Sequence, residues 1–382
     1  MRNEISSYVK ARQDEILDFL RSLVNMESPS REKSCVDAVI DVLEVAYRDL
    51  GFTTQRLRQD DYGDHLVADL AGEQGPRVLL VGHADTVYPL GTLSKMPLRR
   101  DGDRLVGPAV LDMKGGLTAM LFGIRTLLSV RESLKGSLRV VVNSDEEPGS
   151  PTSRDLWPEL TRGVDWAIVL ESGQPDGAMV LRRKGVGIFH LHVQGRSAHA
   201  GAEPEKGASA IHVLAKKILD LEAIADLSLG TTVNTGVIQG GTHPYVVPEE
   251  ARAEIDIRVP TLTEQERVLT AMTAVVERED LPGTRSSLEG QFHRPPMEPV
   301  HGIETLQAII EEESTALGLP VRWAHSGGAS DGNNISASGV PTADGMGPSG
   351  RGAHSPDEYM EVPSLFQKTA LLGAILNRLV GE

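Results

Sequence analysis

Three short runs, Val78–Val81, Trp166–Leu170 and Leu138–Val142, apolar but for Arg139, each lead into histidine or acidic residues. A continuous apolar run between polar turns reads as a strand buried on both faces, and such strands occur in parallel sheets covered by helices. Leu66–Leu70 reads as a further strand, and Gly116–Val130 has helical spacing. Near the start, Ile5, Val9, Ile16, Phe19, Leu20 and Leu23 mark one amphipathic helix, broken at Ser28-Pro29-Ser30. A second helix is expected from Glu32 to Leu50, stopped by Gly51. Helices alternating with buried strands predict an α/β fold with a mixed, mostly parallel sheet and helices on both faces.

The texture changes after Gly177. Gly185–Gln194, Asn234–Gln239 and Ala251–Val259 alternate like half-exposed strands, while Ala208–Leu221 and Thr263–Arg278 read as helices. This α+β segment is bounded by the turn-rich Gln174–Gly177 and by Arg294-Pro295-Pro296, and α/β texture resumes at Ile303. The sequence therefore predicts a discontinuous domain, residues 1–180 and 297–382, with a second domain, 181–296, inserted into it. A length of 382 residues suits two cores better than one.

Charge narrows the partners. Lys and Arg number 38 against 54 Asp and Glu, a net charge of −16, so phosphate backbones and anionic lipid are repelled. No nucleic-acid or membrane role is expected. A single cysteine, Cys35, excludes an internal disulfide and an all-cysteine metal site. Without a signal-like or membrane-length apolar stretch, a cytoplasmic setting is the expectation.

The residues at the strand ends carry the chemistry. His83 and Asp85 follow Val78–Val81, at the strand end where α/β sheets bind ligands. A neutral imidazole binds zinc well, and a nearby carboxylate commonly takes its other ring N–H; a capped structural histidine is the competing reading. Asp112 sits in the glycine-rich Gly107–Gly116 before a helix, as a ligand or as a cap. Asp145-Glu146-Glu147 closes Leu138–Val142, and three adjacent acids at a buried strand end call for a cation unless the loop is solvated. Glu171 ends Trp166–Leu170, and His354 lies in the glycine-rich Gly345–Ser355. This nitrogen and oxygen set suits Zn²⁺, and no G-x-S-x-G or P-loop motif competes with it.

In its order of motifs the chain resembles the M20 metallopeptidases, most of all glutamate carboxypeptidases of the carboxypeptidase G2 type. The motifs are Gly82-His83-Ala84-Asp85, Gly107–Gly116, Asp145-Glu146-Glu147 with Gly149 and Ser153-Arg154-Asp155, Glu171, Ser197–Gly201, Asn234 and Ala353-His354-Ser355. The resemblance implies two Zn²⁺ per subunit, with Co²⁺ or Mn²⁺ as substitutes. His83, Asp112 and Glu171 would hold one ion and Asp112, Glu147 and His354 the other, with Asp112 bridging and its bond to Met113 cis. Asp85 would orient His83, and Glu146 would be the general base. The inserted domain would be a lid through which the chain homodimerises, with His199 and Asn234 reaching a partner's site. Arg294 would meet the substrate carboxylate, with Arg258 as a rival, and Gly327 and Gly328 would approach the substrate with their backbone. The implied reaction is hydrolysis of the amide to a C-terminal amino acid; the alternatives are an N-acyl-amino-acid deacylase, a di- or tripeptidase, or a metal-binding dimer without catalysis. Tyr245, where relatives usually carry Asn, and Ser326–Asn334 depart from the pattern.

Overall fold

A computed structural model describes residues 1–381, which divide into two units. The first comprises Met1–Leu181, Pro299–His325 and Ser330–Glu382. Its central sheet runs in the order Thr53–Leu57, His65–Leu70, Ser137–Asn143, Arg77–His83, Trp166–Val169, Thr342–Ala343. The last four strands of that order pair in parallel, and His65–Leu70 pairs antiparallel with both its neighbours, giving a mixed sheet.

Side chains alternate across the sheet, as the period of two demands. Leu80, Val140 and Ile168 face a large core shared with the helices Gln13–Val24, Lys33–Asp49, Gly115–Val130 and Val362–Leu376. Leu79, Val141 and Val169 face a smaller core containing Trp157 and Ile335, from the short helices Trp157–Leu160 and Asp331–Ala337. Both faces are thus covered, and Val78–Val81, Val140–Val142 and Ala167–Val169 are apolar and buried up to the strand ends.

One expected element is corrected. The helix read from Ile5 to Leu23 is two, Arg2–Ala11 and Gln13–Val24, separated at Arg12 with φ −121° and ψ 18°. Ile5, Val9, Ile16 and Leu20 are all buried, so the apolar stripe continues across a break that the spacing does not reveal.

The second unit comprises Arg182–Glu298 and Ser326–Ala329. It holds an antiparallel sheet in the order Thr232–Gly240, Glu250–Val259, Gly185–Gln194, Arg285–Arg294. Phe189, Leu191, Val193, Ala253, Ile255 and Ile257 pack against Val213, Leu214, Leu221, Val268 and Met272 of the helices Ala210–Glu222 and Leu262–Glu277. Both helices open on a side-chain cap, Ser209 and Thr261. Among the described residues no helix is long and apolar enough to cross a membrane.

A candidate two-metal centre

The parallel strands Ser137–Asn143, Arg77–His83 and Trp166–Val169 lie side by side, so the segments that leave their carboxyl ends emerge together. His83 ends one strand, Glu146 and Glu147 follow the second, and Glu171 follows the third. Asp112 arrives from the turn before the helix Gly115–Val130, and its bond to Met113 is cis. His354 arrives from the C-terminal part of the chain, at φ 64°. Close approach at Glu171 requires glycine. A Cβ on Gly116 would stand 2.0 Å from the Leu170 carbonyl oxygen, and one on Gly347 would stand 2.3 Å from it.

Two groups of three result. His83 Nε2 lies 3.2 Å from Asp112 Oδ1 and 3.5 Å from Glu171 Oε1. His354 Nε2 lies 3.1 Å from Asp112 Oδ2 and 3.1 Å from Glu147 Oε2. Asp112 therefore gives one carboxylate oxygen to each group. Glu146 is close as well: one atom each of His83, Glu146 and Glu171 lies within 4.8 Å of the others, as do atoms of His83, Asp112 and Glu147.

The charge is unbalanced. Among the described residues the ion pairs of Asp85, Asp112, Glu147 and Glu171 are all to His83 or His354. Burial pushes the Glu171 carboxyl well up, and the neighbouring Asp112 charge adds to the push. Burial also raises Glu147, against the pull of His354. Burial opposes the charge on Asp112 too, yet its hydrogen bonds to His354 and His83 hold it well below the usual range. Hydrogen bonds to Asp112 and Glu147 raise His354 to about 11. Glu147 Oε1 is buried without a hydrogen-bond partner. Buried acids in excess, an orphaned carboxylate oxygen and two imidazoles facing the acids fit divalent cations bound through nitrogen and oxygen.

The surroundings fix these groups. The nearest acceptor for His83 Nδ1 is the backbone oxygen of Asp85 at 2.9 Å, with the Asp85 carboxylate farther, at 3.4 Å. That carboxylate instead accepts the N–H groups of Glu146 and Glu147 and the Ser30 hydroxyl. Asp85 is thus a brace for the acidic loop as much as an orienter of His83. Neither Ser30 nor His65 stands out in the sequence as part of the site. Ser144 N donates to His65 Nδ1, so the ring proton sits on Nε2 and is donated to Thr152 Oγ1. Burial lowers the His65 pKa, against the nearby Asp145, and favours that neutral ring. Asp145 accepts the N–H groups and hydroxyls of Thr152 and Ser153, which makes it a scaffold for the loop.

The other anticipated residues lie in the second unit. His199 is exposed, and its Nδ1 accepts the N–H groups of Gly201 and Ala202, which leaves the ring proton on Nε2. Tyr245 backs this loop, its carbonyl accepting Ala200 N–H. Asn234 is exposed on the edge strand. Arg294 is buried just after a register shift in its strand. Gly328 N–H is donated to Ser326 Oγ, while the carbonyls of Gly327 and Gly328 accept from Arg258 and Arg183. Arg258 also pairs with Asp256, in keeping with a structural role.

Known proteins resemble this chain in sequence and in fold. Residues 181–284 match the family model described as a peptidase dimerisation domain of the M20 type. Carboxypeptidase G2 from a Pseudomonas species is 28% identical over 95% of this chain and 89% of its own length. The solved aminopeptidase PepT from Bacillus cereus superposes with a TM-score of 0.82 at 22% identity, covering 96% of this chain and 98% of that one. The Bacillus subtilis YXEP protein, described as a dinuclear metal-binding peptidase, superposes at 0.66 with 16% identity, covering 97% and 99%. The chain thus carries a dimerisation domain of the M20 peptidases at residues 181–284 and is similar over nearly its whole length to an M20-type carboxypeptidase and to M20 peptidase structures.

Proposed function

We propose that this hydrolase cleaves the amide bond to a C-terminal amino acid, as a glutamate-carboxypeptidase-like exopeptidase. The observation that carries the reading is Asp112, whose Oδ1 meets His83 and whose Oδ2 meets His354, while His83 also meets Glu171 and His354 also meets Glu147. Those five side chains would hold two divalent cations, Zn²⁺ by the chemistry of the donors. When bound, such a pair would supply Lewis acidity for the scissile carbonyl and for a water, whose pKa it would lower toward about 7.

Glu146 is the proton carrier. Its carboxylate lies beside His83 and Glu171, and Asp85 holds its backbone N–H. It takes a proton from the attacking water and passes it to the amine nitrogen as the C–N bond breaks. His199, from a second copy of the chain, donates its Nε2–H to the developing oxyanion. Asn234 and Arg294, with the loop at Gly327 and Gly328, would hold the substrate, Arg294 matching its carboxylate. Homodimerisation through the inserted domain is supported by its family match and by exposed Val237 and Ile238 on the edge strand Thr232–Gly240.

The test is a zinc-loaded protein assayed for free amino acid released from N-acyl and γ-glutamyl amino acids, dipeptides and tripeptides. Preferred release from acyl-glutamate supports the reading. Preference for tripeptides or for other N-acyl-amino acids moves the substrate class. Two bound zinc ions with no turnover on the whole panel overturn the reading.

A further inference from the structure

The turn that presents Asp112 is held by a residue far along the chain. Glu358 is fully buried, with no accessible surface. Its Oε1 accepts Leu111 N–H at 2.7 Å and Asp112 N–H at 3.0 Å, and its Oε2 accepts Ala109 N–H at 3.1 Å. The Tyr88 hydroxyl reaches both Glu358 Oε2 and the carbonyl of Ser355. Ala109 sits at φ 55°, a left-handed conformation rarely adopted by residues other than glycine, at the start of this turn. Three backbone donors within residues 109–112, aimed at one carboxylate, form a small nest, here filled by a side chain of the same protein.

The connection reaches the other end of the site. His354 and Glu358 belong to one turn, closed by Ser355 N–H to Gly352 O and Glu358 N–H to Ser355 O. That turn delivers His354 to Asp112 Oδ2 and Glu358 to the backbone of Asp112. Residues 354–358 therefore grip Asp112 from both its side chain and its main chain.

We propose that Glu358 is a positioning residue that sets the direction of the Asp112 carboxylate, and so the spacing of the two cation positions; this rests on the two-metal reading above. A ligand held by an ordered outer partner binds a metal more tightly, and removal of such a partner typically weakens metal affinity 10–100-fold. Glu358→Gln keeps the size of the side chain. Its amide nitrogen, however, is a donor, and cannot accept from Ala109 N–H while an oxygen still faces Leu111 and Asp112.

The experiment is a titration of metal-stripped protein with Zn²⁺ alone, followed by calorimetry, for the wild type, Glu358→Gln and Tyr88→Phe. Two ions in the wild type, with one or both bound about 10–100-fold more weakly in Glu358→Gln, support the proposal. Tyr88→Phe, which removes one donor and leaves the backbone clamp, should show a loss of a few-fold. In the zinc-loaded variants kcat should fall while KM stays near the wild-type value, a split that general loss of packing does not produce. Wild-type affinity in a folded Glu358→Gln overturns the proposal and leaves the two-metal reading standing. Should Glu358→Gln not fold, unchanged zinc affinity in Tyr88→Phe overturns it. A wild type that binds no zinc overturns both.

Discussion

The two units treat buried charge in opposite ways. In the second unit the fully buried Lys217 amine donates to the carbonyls of Val275, Val276 and Arg278, at the end of the helix Leu262–Glu277, and pairs with Asp280 at 3.0 Å. Asp280 is in turn met by Lys216 and Arg278. Every charge there has its opposite within the chain, so the cluster closes on itself. In the first unit Asp85, Asp112, Glu147 and Glu171 have only two imidazoles as ion-pair partners among the described residues. Charge that finds its partners within the chain is architecture. Buried charge left in surplus is a demand for something from outside the chain.

This contrast can be broken by substitution, and the largest effect should be chemical. Glu146→Gln should cut kcat by about 10²–10⁴-fold while zinc content stays at the wild-type level. Unimpaired turnover would remove Glu146 from proton transfer and leave its role beside His83 to explain. The second unit should answer in stability. Lys217→Met should cost about 3 kcal/mol, read from urea unfolding, because it strips Asp280 of a buried partner and the helix end of its cap. A neutral result would mean that Lys216 and Arg278 suffice, and the closed cluster would lose its meaning.

A smaller effect sharpens the comparison because its sign should reverse. Glu147→Gln removes one of the excess acids, so metal-free protein should gain about 1 kcal/mol. The zinc-loaded protein should lose stability through weaker binding. Melting temperatures with and without chelator check this, and a loss in both states would place Glu147 in ordinary packing. The smallest effect concerns pH. Burial alone would raise Asp280, but Arg278, Lys216 and Lys217 hold its carboxyl below the ordinary value. A lowered folded pKa stabilises above the unfolded value, about 3.9, and that contribution is lost as pH falls through the folded one. Melting curves should therefore separate wild type from Asp280→Asn at neutral pH and converge in acid.

Much of the site was legible because it combines apolar strands with sudden polarity. His83, Glu146, Glu147 and Glu171 each follow a run of side chains that must be buried, so the change of character is visible residue by residue. Asp112 and His354 were legible through their glycine-rich surroundings and the resemblance they support. Ser30 and Glu358 were not, because their partners lie 55 and 246 residues away in the hydrogen bonds to Asp85 and Asp112. Glu358 acts mainly on backbone N–H groups, which every residue but proline carries and which leave no mark in a sequence. The strand Arg285–Arg294 went unread for a different reason: it is an edge strand, with most of its side chains wholly or partly exposed. Its alternation is too weak to separate it from a loop.

The turn at residues 354–358 also has a consequence for the order of events in biosynthesis. Until it is made, the segments before it carry the acids and His83, but neither His354 nor the anchor for Asp112. An emerging chain therefore reaches this stage with its surplus negative charge at its greatest and one imidazole to set against it. On the two-metal reading, capture of the ions waits for that last turn to dock. A full complement of metal then serves as a sign that the chain has been read through to residue 358 and has folded back on its own beginning.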